Sequence, residues 1–411
     1  MKSKIAVNFF SKFILMSMLI LLVNNSFAQD AFEQYKKAQN DQFKKFVIAD
    51  KKAYEAYVKA DKEAFENFKK DMEKKWGNFV TSTKKDWVEY SDDNNTRTAV
   101  DFENGNAKVE ILIPIKNAND NKLVKEKLIE AVKELALTKG KTKDYDIPNE
   151  KAIALSKKPI LSDQLQMKNG ETVNRNNIEK YTKELINTSE IKKTKVQTNK
   201  IKNTKKKGDA FFENEQPEFL KYSISLELAP DNIQKRAEQY LPIIKKYATY
   251  YDLPLDLVFA VIHTESFYNP KARSYIPAYG LMQLVPSTAA REAYKYIYKK
   301  EKMLPANYLY NPKNNIELGT AYLYKLKTHY FKNIRNNESK NYCIIAAYNT
   351  GSGNVNKTFG SLNLQDTAEK INTMEPEEVY QKLRTNLPFE ETRNYMKKVA
   401  DRREKYRSWG M

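Results

Sequence analysis

Metal and redox chemistry have almost nothing to work with in this chain. Its 411 residues hold one cysteine, Cys343, and two histidines, His263 and His329. A single cysteine can form no internal disulfide, so an exported chain of this kind would be held by core packing alone. Two histidines and one cysteine fall short of what a transition-metal site uses, and neither a metal nor another cofactor is expected. Charge of one sign is also in deficit: 71 Lys and Arg face 52 Asp and Glu, a formal net charge of +19. Such an excess suits polyanions, whether nucleic acid, anionic lipid headgroups or acidic cell-surface polymers. Part of it sits in the N-terminal segment and part in a lysine tract, so it does not describe one binding face. Hydrophobic residues make up 41% of the chain, enough for packed cores. The length exceeds one compact core, so two or more domains are expected.

The N-terminus reads as an address. Lys2, Lys4 and Lys12 precede an 11-residue apolar run, Phe13 to Val23, and Ser26-Phe27-Ala28 offers small residues at a cleavage point. This predicts an export signal over 1–28, cleaved after Ala28, and a periplasmic or cell-envelope location. The run is short for a membrane span. No cysteine lies near the cleavage point, so lipoprotein processing is not expected. Export argues against nucleic acid as the polyanion.

Over 29–80 aromatic residues recur every 11 positions, at Phe32, Phe43, Tyr54, Phe65 and Trp76, with a second set at Tyr35, Phe46, Tyr57, Phe68 and Phe79. Eleven residues are close to three helical turns, so both sets share one face of a long helix, and Gly77 can end it. Such a stripe normally packs against another helix or against itself; a carbohydrate-stacking surface is the alternative. Beyond Trp87 the period changes to two. Thr98, Val100 and Phe102, then Val109, Ile111 and Ile113, flank an Asn-Gly turn and predict a hairpin. Leu123 to Leu135 predicts an amphipathic helix ending near Gly140. An α+β accessory region is therefore expected over 81–186. Residues 187–209 read as a linker, because eight of the sixteen residues from Lys192 to Lys207 are lysine and none is acidic. That tract is either a mobile loop or an electrostatic tether to an anionic envelope surface. Phe219 to Leu228 predicts one more strand within 210–230, and 231–411 is helical to its end.

The chemistry centres on Glu265. Leu255 to Ile262 is apolar nearly all round, which predicts a buried helix. Glu265 and Ser266 end it, before Asn269-Pro270 forces a loop. Helix carbonyls and apolar walls both disfavour a negative charge there, so the carboxyl should hold its proton unusually well, as a general acid at neutral pH must. The two polar windows that follow, Phe267–Ala290 and Lys340–Leu364, contain no Asp or Glu. A glycosidase normally uses two carboxylates. If this chain cleaves a sugar chain, a group of the substrate must do the work of the second.

Glu265-Ser266, Asn269-Pro270, Ala272, Ser274 and Gly280-Leu281-Met282-Gln283 resemble the soluble lytic transglycosylase domain, a relative of goose-type lysozyme. Asn311-Pro312, Asn315-Ile316, Gly319, Ala347-Tyr348-Asn349, Gly351 and Arg393-Asn394-Tyr395 continue the resemblance, which covers about 225–407. The Trp87–Ile113 segment and the helix Asp231–Tyr250 are similar to the lytic murein transglycosylase C family. The resemblance implies an all-α lysozyme-like catalytic domain behind an α+β accessory region and a long N-terminal helix, α+β overall. It implies peptidoglycan glycan strands as the partner, cut between N-acetylmuramic acid and N-acetylglucosamine to leave 1,6-anhydro ends. Glu265 would act first as acid and then as base. Tyr348 would hydrogen-bond Glu265, Ser274 and Gln283 would contact substrate, and Ser266, Met282, Asn349 and Tyr395 would line or support the cleft. Ser266 and Asn349 could instead simply cap helix ends. The rival readings are a noncatalytic cell-wall binding protein and a lysozyme-type hydrolase. His263 points away from Glu265 on the helix and reads as structural, and Cys343 as a buried core residue.

Overall fold

The computed structural model describes residues 51–145, 147, 152–196, 219–275 and 277–411, together with Lys37, Lys45, Ile48 and Ala49. The expected export signal, the aromatics Phe32, Tyr35, Phe43 and Phe46, and most of the lysine tract lie outside these. Two units partition the chain, Met1–Ala56 and Tyr57–Met411. In the first, the described residues are helical.

The second unit opens on the end of helix α1, which is described over 51–76. Gly77 then adopts φ 76°, a conformation that costs glycine little, and its N–H closes on the Glu73 carbonyl. The described part of the aromatic stripe of α1 packs on the sheet that follows and on Tyr145, not on another helix or on itself as expected. Phe68 meets Tyr90 edge-on at 5.4 Å, Phe65 meets Tyr145 at 5.8 Å, and the Arg97 guanidinium lies 4.6 Å over Trp76.

That sheet has five antiparallel strands: β1 (Asp86–Tyr90), β2 (Thr96–Asp101), β3 (Asn106–Pro114), β4 (Lys192–Lys195) and β5 (Phe219–Glu227), in the order β1-β2-β3-β5-β4. β2 and β3 form the expected hairpin, pairing Asp101 with Asn106 across a turn in which Gly105 takes φ 67°. Val100, Val109, Ile111 and Ile224 alternate onto the buried face, where α2 (Asn121–Leu137) covers them, and α3 (Ile178–Thr188) packs on α2. Asp120 caps α2 by accepting from the N–H groups of Lys122 and Leu123.

The lysine stretch differs from the expected linker. Lys192–Lys195 is an edge strand, with Lys193 opposite Tyr222. An edge strand needs only its backbone on one side, and exposed lysines suit an edge because they discourage further pairing. A scan for apolar residues therefore passes over it.

After β5 the chain turns helical: α4 (Asn232–Tyr250), α5 (Leu255–Ser266), α6 (Ala289–Tyr298), α7 (Ala306–Tyr310), α8 (Pro312–Lys325), α9 (Asn337–Thr350), α10 (Ser352–Thr358), α11 (Leu364–Ile371), α12 (Pro376–Asn386) and α13 (Glu390–Ser408). Helix α5 is the axis of this all-α part. Leu257 to Ile262 are all fully buried, and α4 and α13 pack along it. Among the described residues no helix is long and apolar enough to cross a membrane.

Sheet and helices share one core and are joined by buried polar groups. Arg236 of α4 donates to the carbonyls of Phe102 and Phe267 and to Gln164 Oε1. Three acceptors from three parts of the chain make that guanidinium a rivet. Burial lowers its pKa to about 9, with Tyr406, Tyr240 and Tyr268 opposing the shift.

Candidate active site

Glu265 stands where sequence placed it, in the last turn of α5. The helix stops because Phe267 and then Tyr268 take left-handed conformations (φ 51° and 61°), and the Phe267 N–H closes on the His263 carbonyl. Two such residues in a row are costly for side chains with a Cβ. They are held by packing: Tyr268 is buried, and its hydroxyl bonds both the Phe259 carbonyl and Tyr406.

The Glu265 carboxyl is 5% exposed. Burial raises its pKa above the ordinary 4.5, Lys84 and Tyr395 pull it down, and the charge of Glu391 adds a little upward. The direction is the one the apolar helix implied. Lys84 Nζ lies 3.6 Å from Glu265 Oε2 and comes from the segment just before β1.

Two tyrosines flank the carboxyl, with roles partly exchanged from those expected. Tyr348 does not hold Glu265: its hydroxyl donates to the Met282 carbonyl at 2.7 Å. The loop brings that carbonyl within reach, and a neutral phenol is satisfied there whatever the protonation state of the acid. Tyr395 is the tyrosine whose hydroxyl interacts with the carboxyl as a hydrogen-bonding group, although it makes no well-formed bond to any described residue. Burial, and then the charge of Glu265, push both phenols well above their usual range.

The remaining expected residues form the wall around this group. Ser266 Oγ donates to the Leu281 carbonyl at 2.7 Å and sits near the Ile262 carbonyl, tying the helix end to the Gly280–Gln283 turn. Met282 is buried, its backbone N–H held by Asn315 Oδ1 and its sulfur packed over Gly319, where any Cβ would come within 2.2 Å. It therefore supports the cleft from behind. Gln283 donates from Nε2 to the carbonyls of Ala272 and Gly280, leaving its buried Oε1 without a partner among the described residues. Ser274 is half-buried and closes its own loop: its N–H donates to the Ala278 carbonyl, and the Ala278 N–H donates to Ser274 Oγ. Asn349 accepts from Thr392 Oγ1 at 2.7 Å, which fastens α9 to the start of α13. His263 lies on the far side of α5 against Tyr406, and Cys343 is buried with its thiol pKa pushed up, as both were read. Among the described residues no group of three or more His, Cys, Asp or Glu could hold a metal ion.

Sequence reading missed what the accessory region contributes. The Asn269 side chain donates to the carbonyls of Thr83 and Asp86, and Lys271 Nζ bonds the Val88 carbonyl and Asp144 at 3.0 and 2.7 Å. Arg273 lies over Phe65 and reaches Asp61 of α1 at 3.6 Å. Three alternate residues of the loop that carries Ser274 are thus stitched to α1, β1 and the segment that brings Lys84. A separate polar cleft of about 520 Å³ opens between the hairpin turn and α5, lined by Glu103, Asn104, His263 and Phe267; Glu265 does not line it.

Comparison with known proteins identifies the family. Residues 242–371 match the transglycosylase SLT domain family, and residues 43–206 match the family described as the N-terminal domain of membrane-bound lytic murein transglycosylase C. The membrane-bound lytic murein transglycosylase C of Photorhabdus laumondii is 31% identical over 319 residues, 78% of this chain and 82% of that protein. The proteins of the same name from Actinobacillus pleuropneumoniae and Haemophilus influenzae are each 32% identical over 78% of this chain, covering 79% and 81% of their own lengths. Both halves match, in order and over most of the relatives' length, so this chain belongs to the membrane-bound lytic murein transglycosylase C family.

Proposed function

We propose that this protein cleaves peptidoglycan strands between N-acetylmuramic acid and N-acetylglucosamine, closing a 1,6-anhydro ring without consuming water. The observation that carries this is the buried Glu265 carboxyl, whose hold on its proton burial strengthens and which Tyr348 and Tyr395 flank. A protonated carboxyl can donate to the glycosidic oxygen as the bond to the muramic anomeric carbon breaks. The muramic N-acetyl group assists at that carbon from within the substrate. The C6 hydroxyl oxygen then bonds to the anomeric carbon, and its proton returns to the Glu265 carboxylate. One carboxyl gives and recovers one proton, so the cycle closes. Gln283 Oε1, buried and without a partner, is a ready acceptor for a sugar hydroxyl or amide N–H.

One observation favours a second reading. Glu391, exposed at the start of α13, lies near enough for its charge to act on Glu265. As a base it would activate water, and the product would be a reducing end, as from a lysozyme-type hydrolase. The two polar windows that follow the acid, Phe267–Ala290 and Lys340–Leu364, hold no carboxylate, which favours the ring-closing reading. Mass analysis of fragments released from purified peptidoglycan separates the two. Wild type and Glu391→Gln should both give 1,6-anhydro ends, and Glu265→Gln none. Reducing ends that vanish in Glu391→Gln would establish the hydrolase, and binding without release would make the protein a cell-wall binder. An envelope location, with the lysine tract as an electrostatic tether, belongs to the same proposal; deleting 197–208 should weaken binding to anionic vesicles and leave cleavage unchanged.

A further inference from the structure

We propose that Lys84, supplied by the accessory region, is a positioning residue for the reaction at Glu265: its ammonium group fixes the carboxyl and adjusts how firmly it holds its proton. The inference rests on the reading of Glu265 as the acid.

The geometry is specific. Lys84 Nζ is 3.6 Å from Glu265 Oε2, and the lysine side chain is 42% exposed while the glutamate is 6% exposed. The cation keeps its solvent and the carboxyl has lost most of its own, so the pair avoids the cost of burying two charges. The backbone that presents Lys84 is held on both sides. Thr83 N–H donates to the Asp86 carbonyl, Thr83 Oγ1 donates to the Asp86 carboxylate, and Asn269 grips the carbonyls of both residues. Asn269 is four residues beyond Glu265, so one loop carries the acid while clamping the segment that carries its counter-charge.

The groups facing the carboxyl are Lys84, Tyr395 and Glu391 of α13, and Tyr348 of α9. Lys84 is the cation among these. Burial and Glu391 act to keep the proton on, and Lys84 opposes them. A carboxyl that must donate and then recover a proton in one cycle works best when neither state is strongly preferred. Lys84 also faces the carboxylate that exists between the two transfers.

The test is the pH dependence of kcat/KM for fragment release by the full chain, compared among wild type, Lys84→Gln, Lys84→Arg and Glu265→Gln. Activity requires the protonated acid, so the alkaline limb marks where Glu265 loses its proton. Removing the cation should move that limb upward by about one pH unit, and Lys84→Arg should restore it. A lysine with only a structural role would lower the rate in Lys84→Gln and leave the limb in place; that result overturns the proposal. Thermal unfolding of each variant checks that the fold is intact. If Glu265→Gln released fragments like wild type, both the proposal and the reading of Glu265 would fall. An unmoved limb with Glu265→Gln inactive would remove the proposal alone.

Discussion

Asn315 offers the most exacting check on how the site is supported. Its side chain is fully buried at the start of α8 and makes three bonds: Oδ1 accepts from Met282 N–H at 2.7 Å, and Nδ2 donates to the carbonyls of Tyr279 and Leu309 at 2.8 and 2.7 Å. The turn that presents Met282 and Gln283 is held by this amide together with Ser266 on the Leu281 carbonyl and Tyr348 on the Met282 carbonyl, and the amide alone makes three bonds. Gly280 fits beside it because a Cβ there would come within 2.6 Å of Asn315 Nδ2 and 2.5 Å of the Leu309 carbonyl. In Asn315→Ala the Tyr279 carbonyl keeps a second donor, the Leu284 N–H. The Met282 N–H and the Leu309 carbonyl each lose a partner in a dry environment. At about 1–3 kcal/mol for each of the two orphaned buried groups, and about 1 kcal/mol for the space left, the loss should be about 3–7 kcal/mol. Asn315→Asp has nearly the same shape and still accepts from Met282, but turns an oxygen toward two carbonyls. Its carboxyl should hold its proton more firmly when folded than when unfolded. The destabilisation should therefore be smaller in acid and grow as pH rises from the unfolded value, about 3.9, through the folded one. Urea unfolding followed by tyrosine and tryptophan fluorescence measures both. A loss below about 1 kcal/mol for Asn315→Ala would refute the claim that this amide is a main support of the turn.

Two further outcomes follow from burial alone. Because the Glu265 pKa is raised above the ordinary 4.5 in the folded state, its ionisation works against folding. Stability attached to this group is full below its unfolded pKa and declines as pH rises through the folded one. Glu265→Gln should accordingly be more stable than wild type at pH 7, with the gap closing toward pH 4; urea midpoints across pH should show it, and a constant gap would contradict it. Cys343 is fully buried in α9 with its thiol pKa raised, so a thiol reagent should label it only at the rate of unfolding, and rapid labelling of the native protein would show that the core there opens locally.

The site divides into what one segment states and what only the fold assembles. Leu255 to Gln283 announces itself: an all-round apolar helix with a carboxylate at its end has few bland explanations, and its position and raised proton affinity both carried over. The hairpin over Thr96–Pro114 was equally readable from its period and turn. Lys84 was not. It is one of 71 basic residues, its neighbours carry no motif, and its meaning arises only because Asn269, 183 residues from Asp86, draws that segment against the acid. Glu391 escaped for a similar reason, since the windows scanned for a second carboxylate ended before α13 returned to the site. The exchange between Tyr348 and Tyr395 turns on which phenol a carbonyl claims first. Spacing along the chain does not determine that.

The passage from sheet to helices is four residues long, Leu228 to Asp231, and it is bracketed by Arg236 on one side and by the Asn269, Lys271 and Arg273 stitches on the other. A joint so short and so many times fastened cannot swing. The segment that carries Lys84 and the helix that carries Glu265 are therefore set at a fixed spacing when the chain folds, so the counter-charge is in place beside the acid before any substrate arrives.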